Sequence, residues 1–261
     1  MDRLYKYPRT HHIEGSGLQK GDEDLDRVPF ADLTGRFLVV EEKMDGANSA
    51  VSFSSDGRLL LQSRGHYLTG GEREKHFALL KAWAGRYTAA LREALGDRYI
   101  MYGEWLYAKH TVFYTDLPHY FLEFDIYDRA VDRFLSTERR MRVLEGAPFV
   151  SSVKVLHTGP VSDLAALTAL IGPSYFIRSD HLRQLDALCR ERQLNPQQVR
   201  LETDSSTLME GLYIKHEADG TVQARYKYVR PGFLQTVIES QSHWLDRPIV
   251  PNQLRPGAQL F

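Results

Sequence analysis

The 261-residue chain predicts an α+β domain in which antiparallel sheets are flanked by helices. Three observations carry that expectation. Two hairpin signals, Asp56-Gly57 and Asp219-Gly220, each join a pair of short apolar runs. Aromatic and β-branched residues crowd Arg98 to Tyr107 and Tyr120 to Tyr127, as strands require. Between these regions Phe77, Leu80, Trp83, Tyr87, Leu91 and Leu95 recur at helical spacing.

Each element can be justified in order. The first thirty residues are polar and glycine-punctuated, which predicts an arm or loop, mobile around Gly15-Ser16-Gly17. Phe37 to Glu42 (FLVVEE) has the continuous apolar run of a buried strand, and Asn48 to Phe53 pairs with Arg58 to Ser63 through the first hairpin turn. A single helix is expected from about Arg73 to Leu95, with Trp83 and Tyr87 facing the core. Glu138 to Leu144 reads as helix, with Gly146 placed to end it. Ser162 is expected to cap a helix that stops at Gly172, and Ser179 one that runs to about Leu194 before Pro196. Glu210 to Glu217 and Thr221 to Val229 form the second hairpin. The expected organisation is therefore one domain over 1–230, with a helical insert at about 130–208, and a short tail at 231–261 too small to fold alone.

Composition excludes several function classes. A content of 43% hydrophobic and 26% charged residues is ordinary for a globular protein, and no apolar run reaches spanning length, so no membrane role is expected. The net charge of −1 provides no overall field for nucleic acid, although a local basic surface would suffice. The start, MDRLYKYPRTHH, lacks the apolar core of a signal peptide. With Cys189 the lone cysteine, no internal disulfide can form; the expectation is a cytoplasmic protein whose one thiol is buried and inert. His11-His12 has no partner at zinc-ligand spacing.

Lys43-Met44-Asp45-Gly46-Ala47-Asn48 places a lysine, a carboxylate and a glycine in a tight corner between two expected strands. Alone it could be a plain turn with a solvated lysine. Its companions, in order, are Ser63-Arg64-Gly65, Tyr102-Gly103-Glu104-Trp105, Phe121 through Asp128, Glu210 through Lys215, and Arg225-Tyr226-Lys227. Together they supply one amine nucleophile, three carboxylates (Asp45, Glu104, Glu210), four cations (Arg64, Lys215, Arg225, Lys227) and interleaved aromatics. Such an inventory suits transfer of a phosphoryl-centred group. Carboxylates would hold magnesium that keeps several of its waters, and cations would stabilise charge on phosphate oxygens.

This ordered set resembles the covalent lysine nucleotidyltransferases, and most closely the ATP-dependent RNA ligase family. KMDGAN matches motif I, SRG motif Ia, YGEW motif III, FLEFDIYD motif IIIa, EGLYIK motif IV and RYK motif V, over residues 37 to 230. The resemblance implies an ATP-grasp-like nucleotidyltransferase fold and a lysyl-AMP intermediate. Lys43 would attack the α-phosphate of ATP, and the AMP would pass to an RNA 5′-phosphate before a 3′-hydroxyl displaces it. Glu42 would read the adenine amino group and Phe121 would stack on the base, with Asn48 among the nucleotide contacts. Arg64 and Glu104 would reach the sugar. Lys215 and Lys227 would contact the α-phosphate and leaving pyrophosphate, and Arg225 stands where the family usually has a first lysine, which alters the donor geometry. Asp45, Glu104 and Glu210 would hold Mg2+, or Mn2+ in its place, through water.

The resemblance also implies RNA ends or nicked RNA as the partner, a role in RNA repair, and a separate end-healing kinase or phosphatase as companion. The short tail leaves no room for the oligonucleotide-binding barrel of a DNA ligase, which favours RNA. Rival readings are a ligase for DNA or mixed nicks, a GTP-using capping enzyme, and a catalytically idle end-binding module. One free-energy constraint applies to all the catalytic readings: deprotonating an ordinary lysine at neutral pH costs about 4.6 kcal/mol. Lys215 and Lys227 are expected to reduce that cost by repelling charge on Lys43.

Overall fold

The computed structural model describes residues 3–18, 26–233, 236 and 247–261. Among these, β3 (Leu38–Lys43) is the strand around which the molecule is organised. Its apolar run is buried on both faces because it is an interior strand, paired antiparallel with β10 (Val155–Gly159) on one side and β11 (Gly211–Ala218) on the other. β11 continues through the Asp219-Gly220 turn into β12 (Thr221–Val229). The sheet ends with β1 (His11–Ile13) and β2 (Arg27–Val28), giving the order β10-β3-β11-β12-β1-β2.

A second sheet runs β5-β4-β6-β7-β8, built from β4 (Ala47–Phe53), β5 (Leu59–Ser63), β6 (Tyr99–Trp105), β7 (Phe121–Asp128) and β8 (Arg133–Phe134). β9 (Ser151–Ser152) pairs parallel with β7. One apolar cluster draws on both sheets, with Tyr213, Val222 and Val229 meeting Ala50, Tyr102, Leu122 and Phe124. A second cluster packs the far face of the β4–β7 sheet against α1 (Ala78–Arg86), α2 (Thr88–Leu95) and α3 (Thr137–Leu144). A third, containing Val40, Leu212, Ile214, Leu33 and Leu167, covers the outer face of the β3 sheet.

The hairpins and the mixed α/β character agree with the sequence. Four local expectations are corrected. Residues 11–13 and 27–28 pair as strands, and Ser16 is buried, its hydroxyl accepting from the Val229 amide and bonded to the His12 ring. The arm is therefore fastened to the sheet over its described part; residues 19–25 lie outside the described residues. The long helix of 73–95 is two helices meeting at Tyr87, where the Thr88 hydroxyl bonds back to the Ala84 and Gly85 carbonyls.

The insert is not purely helical, because β10 extends the β3 sheet and β9 pairs with β7 of the other. Its caps are Asp163 for α4 (Leu164–Thr168), whose carboxylate accepts from the Ala166 amide, and Asp180 for α5 (His181–Glu191), each one residue beyond the serine expected. Pro196 follows α5, as expected, and also starts a further helix. It opens α6 (Pro196–Leu201), where a missing amide costs nothing, and the Asn195 side chain caps the Gln197 and Gln198 amides. Cys189 is buried as expected, among Phe113, Leu185 and Val199.

Candidate active site

Strand alternation puts Lys43, Glu41 and Val39 on one face of β3 and Glu42 on the other. At the end of that strand the chain turns through Met44, Asp45 and Gly46 into β4 of the second sheet. Gly46 is required by close approach. A Cβ there would lie 2.7 Å from Leu106 Cδ2, 2.8 Å from the Trp105 carbonyl and 2.9 Å from Glu104 Cγ. The corner is thus pressed against the end of β6, which is how a carboxylate sixty residues away in the chain reaches the lysine.

Lys43 pairs in register with Gly211, so its amine meets the residue just before β11. Lys43 Nζ lies 2.8 Å from Glu210 Oε1 and 2.9 Å from Oε2. Glu210 is buried and Lys43 is 22% exposed, so the amine sits at the edge of the protein interior with a path to solvent. Burial opposes charge on Lys43, but Glu210, Glu104 and Asp45 outweigh it and hold its pKa above the ordinary lysine value. Burial pushes Glu104 up to about 8 and Glu210 up to about 7, against the attraction of Lys43 and with the added repulsion of their fellow carboxylates. The surround of Lys43 thus favours its charged form, the direction opposite to that expected from the sequence.

Asp45 is fixed by three hydrogen bonds. Its Oδ2 accepts from the Thr111 and Val112 amides, each at 2.7 Å, and its own amide donates to the Tyr114 hydroxyl at 2.8 Å. Asn48 stands directly opposite Glu104 across the β4–β6 ladder, on the same face. Lys227, opposite Tyr213 on β12, is half-buried and close enough to Glu210 to draw its pKa down. Lys43, Asp45, Asn48, Glu104, Glu210 and Lys227 thus gather around one corner.

The remaining candidates lie elsewhere. Lys215 pairs with Val39, four residues or about 13 Å along the sheet from the Lys43 row. It is fully buried, 2.9 Å from Glu41 Oε2 and 3.1 Å from Asp125 Oδ1, and it donates to the Phe124 carbonyl. Arg225 is bonded to the same Asp125 at 3.1 Å and lies over the Phe134 ring. Arg140 from α3 completes the cluster, 2.8 Å from Glu123 and in contact with Glu41. Lys215 and Arg225 are thus paired inside an ion cluster that ties both sheets to α3, which leaves no surface of Lys215 for phosphate.

Phe121 is fully buried, stacked on Trp83 with centroids 5.3 Å apart, so its ring is core rather than a platform for a base. Glu42 points to the opposite side from Lys43, where it accepts from the Ser174 hydroxyl at 2.5 Å and the Tyr175 amide at 3.3 Å; burial raises its pKa to about 7. Arg64 is exposed in the bend after β5. Sequence reasoning missed Glu41, Glu123, Arg140, Tyr114 and Asn252. Glu123 alternates with apolar residues on an interior strand, a signal that was present, and Glu41 directly follows the apolar run of β3. Arg140 and Asn252 carry no local signal.

The candidate metal donors around Lys43 are all carboxylate oxygens, three against the ammonium groups of Lys43 and Lys227, and burial raises the pKa of two of them. A hard divalent cation would relieve the mutual repulsion that opposes ionising all three carboxylates. Among the described residues no group of three or more histidine, cysteine or acidic side chains is placed to grip a metal directly. The set fits an ion that keeps its water shell, with Asp45, Glu104 and Glu210 as outer partners.

Comparison with known proteins places this geometry in a family. A model of the RNA ligase family matches residues 36–229. A search of curated proteins finds no match. Among solved structures, a Naegleria gruberi RNA ligase variant with ATP and Mn superposes with a TM-score of 0.53 at 16% identity, covering 80% of this chain and 54% of that one. The Naegleria gruberi RNA ligase with PPi gives a TM-score of 0.51 at 17% identity, covering 90% and 63%. This chain therefore spans between about half and two thirds of those proteins' length, and the likeness shows the shared nucleotidyltransferase fold. With the match extending from the approach to β3 through the last residue of β12, the chain belongs to the RNA ligase family.

Proposed function

We propose that this chain is the catalytic part of an ATP-dependent RNA ligase that works through lysyl-AMP. The single observation that carries this reading is Lys43, held by both oxygens of a buried Glu210 with Glu104 and Asp45 around it, at a corner that leaves it partly open to solvent. A solvated turn lysine has no use for such a surround. Once neutral, the Lys43 amine attacks the α-phosphorus of ATP; the N–P bond forms as the bond to pyrophosphate breaks, and the proton leaves the amine. The AMP then passes to an RNA 5′-phosphate, freeing the lysine, and a 3′-hydroxyl displaces AMP to make the phosphodiester.

This chain's own residues account for several parts of that sequence. Glu210, with its pKa near neutrality, is placed to accept the amine's proton. Lys227 faces the same carboxylate and is the cation placed to meet phosphate oxygens. A bound Mg2+ or Mn2+ would add charge stabilisation at the triphosphate and favour the neutral amine. Structures of the Naegleria gruberi RNA ligase with ATP and Mn, or AMP and Mn, support that choice of nucleotide and metal. RNA repair in the cytoplasm, alongside a separate end-healing enzyme that provides 5′-phosphate and 3′-hydroxyl ends, is the setting this chemistry suits. No helix among the described residues is long and apolar enough to cross a membrane.

The test is incubation with radiolabelled ATP and a divalent cation, followed by denaturing electrophoresis. A labelled band that is acid-labile and base-stable, absent from Lys43→Arg, is the expected result. Equal labelling of Lys43→Arg would refute the assignment. Sealing of matched RNA and DNA nicks then decides the polynucleotide, through the 2′-hydroxyl at the break.

A further inference from the structure

Residues 250–255 lie against the segment from Leu106 to Leu117, and Asn252 is the centre of that contact. It is 1% exposed, and each of its four polar atoms is engaged. Its Oδ1 accepts from the Tyr114 amide at 2.9 Å, and its Nδ2 donates to the Leu106 carbonyl at 2.7 Å. Its backbone amide donates to the Tyr107 carbonyl at 2.8 Å, and its carbonyl accepts from the Tyr120 hydroxyl at 2.9 Å. The Gln253 amide adds a bond to the Tyr114 carbonyl at 2.9 Å.

That segment is the one that holds Asp45. Thr111 and Val112 donate to its carboxylate, and the Tyr114 hydroxyl accepts from its amide. A continuous chain of hydrogen bonds therefore runs from Asn252 through Tyr114 to the corner after Lys43. Resting on the adenylylation reading above, we propose that Asn252 is a positioning residue for transfer at Lys43, acting through Tyr114 and Asp45. It fixes where the Asp45 charge sits relative to Lys43, Glu104 and Glu210, all of which feel that charge. A displacement of the reacting geometry by even about 1 Å costs as much as a hundredfold in rate.

The experiment compares Asn252→Ala, Asn252→Asp, Tyr114→Phe and the Asn252→Ala/Tyr114→Phe pair in the full chain. Circular dichroism first sets a temperature at which each is folded. Single-turnover transfer from radiolabelled ATP is then read against ATP concentration, and amide hydrogen exchange is followed in peptides covering 44–46 and 109–114. Each single substitution lowers the limiting rate about tenfold or more while half-saturating ATP stays within about twofold. Asn252→Asp, which keeps the acceptor toward Tyr114 but loses the donor to Leu106, falls between wild type and Asn252→Ala. The pair loses no more than the worse single variant, because both act through one chain of contacts. Exchange at Asp45, Thr111 and Val112 rises in Asn252→Ala while β6 and β7 stay protected.

A rate that survives Asn252→Ala, losses that multiply in the pair, or unchanged exchange at 111–112 would each overturn the proposal. A wild-type protein that forms no adduct overturns the adenylylation reading instead. The exchange measurement then still decides whether Asn252 holds Asp45 in place.

Discussion

Replacing Arg140 with methionine removes one member of a buried ion cluster and keeps most of the stem that fills the space. The cluster holds three cations, Arg140, Lys215 and Arg225, and three carboxylates, Glu41, Glu123 and Asp125. It is balanced, and Arg140 is completely buried. In Arg140→Met, Glu123 retains only the Ser152 hydroxyl at 2.7 Å, and Glu41 must share Lys215 with Asp125. One negative charge is then uncompensated where water does not reach. Breaking a buried pair in this way costs about 3–5 kcal/mol. Against a total stability of about 5–15 kcal/mol that is a large fraction. At about 2–4 °C per kcal/mol for a chain of this size, the melting temperature falls by about 6–20 °C. Urea midpoints at pH 7 measure the loss directly. The Arg140→Met/Glu123→Gln pair restores charge balance and recovers part of it. A loss below about 1 kcal/mol for the single variant, or a pair that is worse than the sum of its parts, would show that the cluster is not the sheet-joining staple described here.

Three further outcomes are expected. Glu42, Glu104 and Glu210 have folded-state pKa values of about 7, 8 and 7, above the ordinary glutamate value, so the folded protein keeps protons that the unfolded chain has released. Metal-free protein should therefore lose stability as pH rises from about 5 to about 8, and Glu104→Gln should flatten that slope; a wild-type urea midpoint that rises across this window would count against the buried-carboxylate account. Lys215→Met should lower stability by about 3–5 kcal/mol, whereas Lys227→Met should change it by less than about 1 kcal/mol yet abolish most adenylyl transfer. The reverse pattern would return Lys215 to the phosphate site. Gly46→Ala forces a methyl into contact with Leu106, Trp105 and Glu104, and should cost about 1–3 kcal/mol together with most of the transfer activity; full labelling by a stable Gly46→Ala protein would contradict the close-approach argument.

What the sequence disclosed, and what it concealed, follows from the range of each interaction. Asp56-Gly57 and Asp219-Gly220 announce hairpins because turn chemistry is local, and both pairings are present. Lys43, Glu104 and Glu210 were legible because each sits near a strand end close to a glycine that the backbone approach demands, adjacent for Glu104 and Glu210 and within the same turn for Lys43, as the contacts at Gly46, Gly103 and Gly211 show. Phe121 and Lys215 misled because a motif gives a position along a strand without giving the face or the depth. Phe121 occupies its ladder position with the ring turned to Trp83, and Lys215 shares a face with Lys43 but lies too far along it. β10 was hidden because Val155 to Gly159 is short, and its partner β3 lies more than a hundred residues earlier. Asn252 was hidden for the same reason, since its partners are at 106, 107, 114 and 120.

The interior placement of β3 has a consequence for how the protein comes into being. Residues 38–43 emerge from a ribosome early, yet the neighbours that flank them are 155–159 and 211–216, made far later. Until the second of those stretches is synthesised, Lys43 has no Glu210, and its amine is an ordinary hydrated side chain. On the adenylylation reading proposed above, a chain truncated before Glu210 should therefore take no label from ATP. Closure over such sequence distances places assembly of the Lys43 surround late in folding.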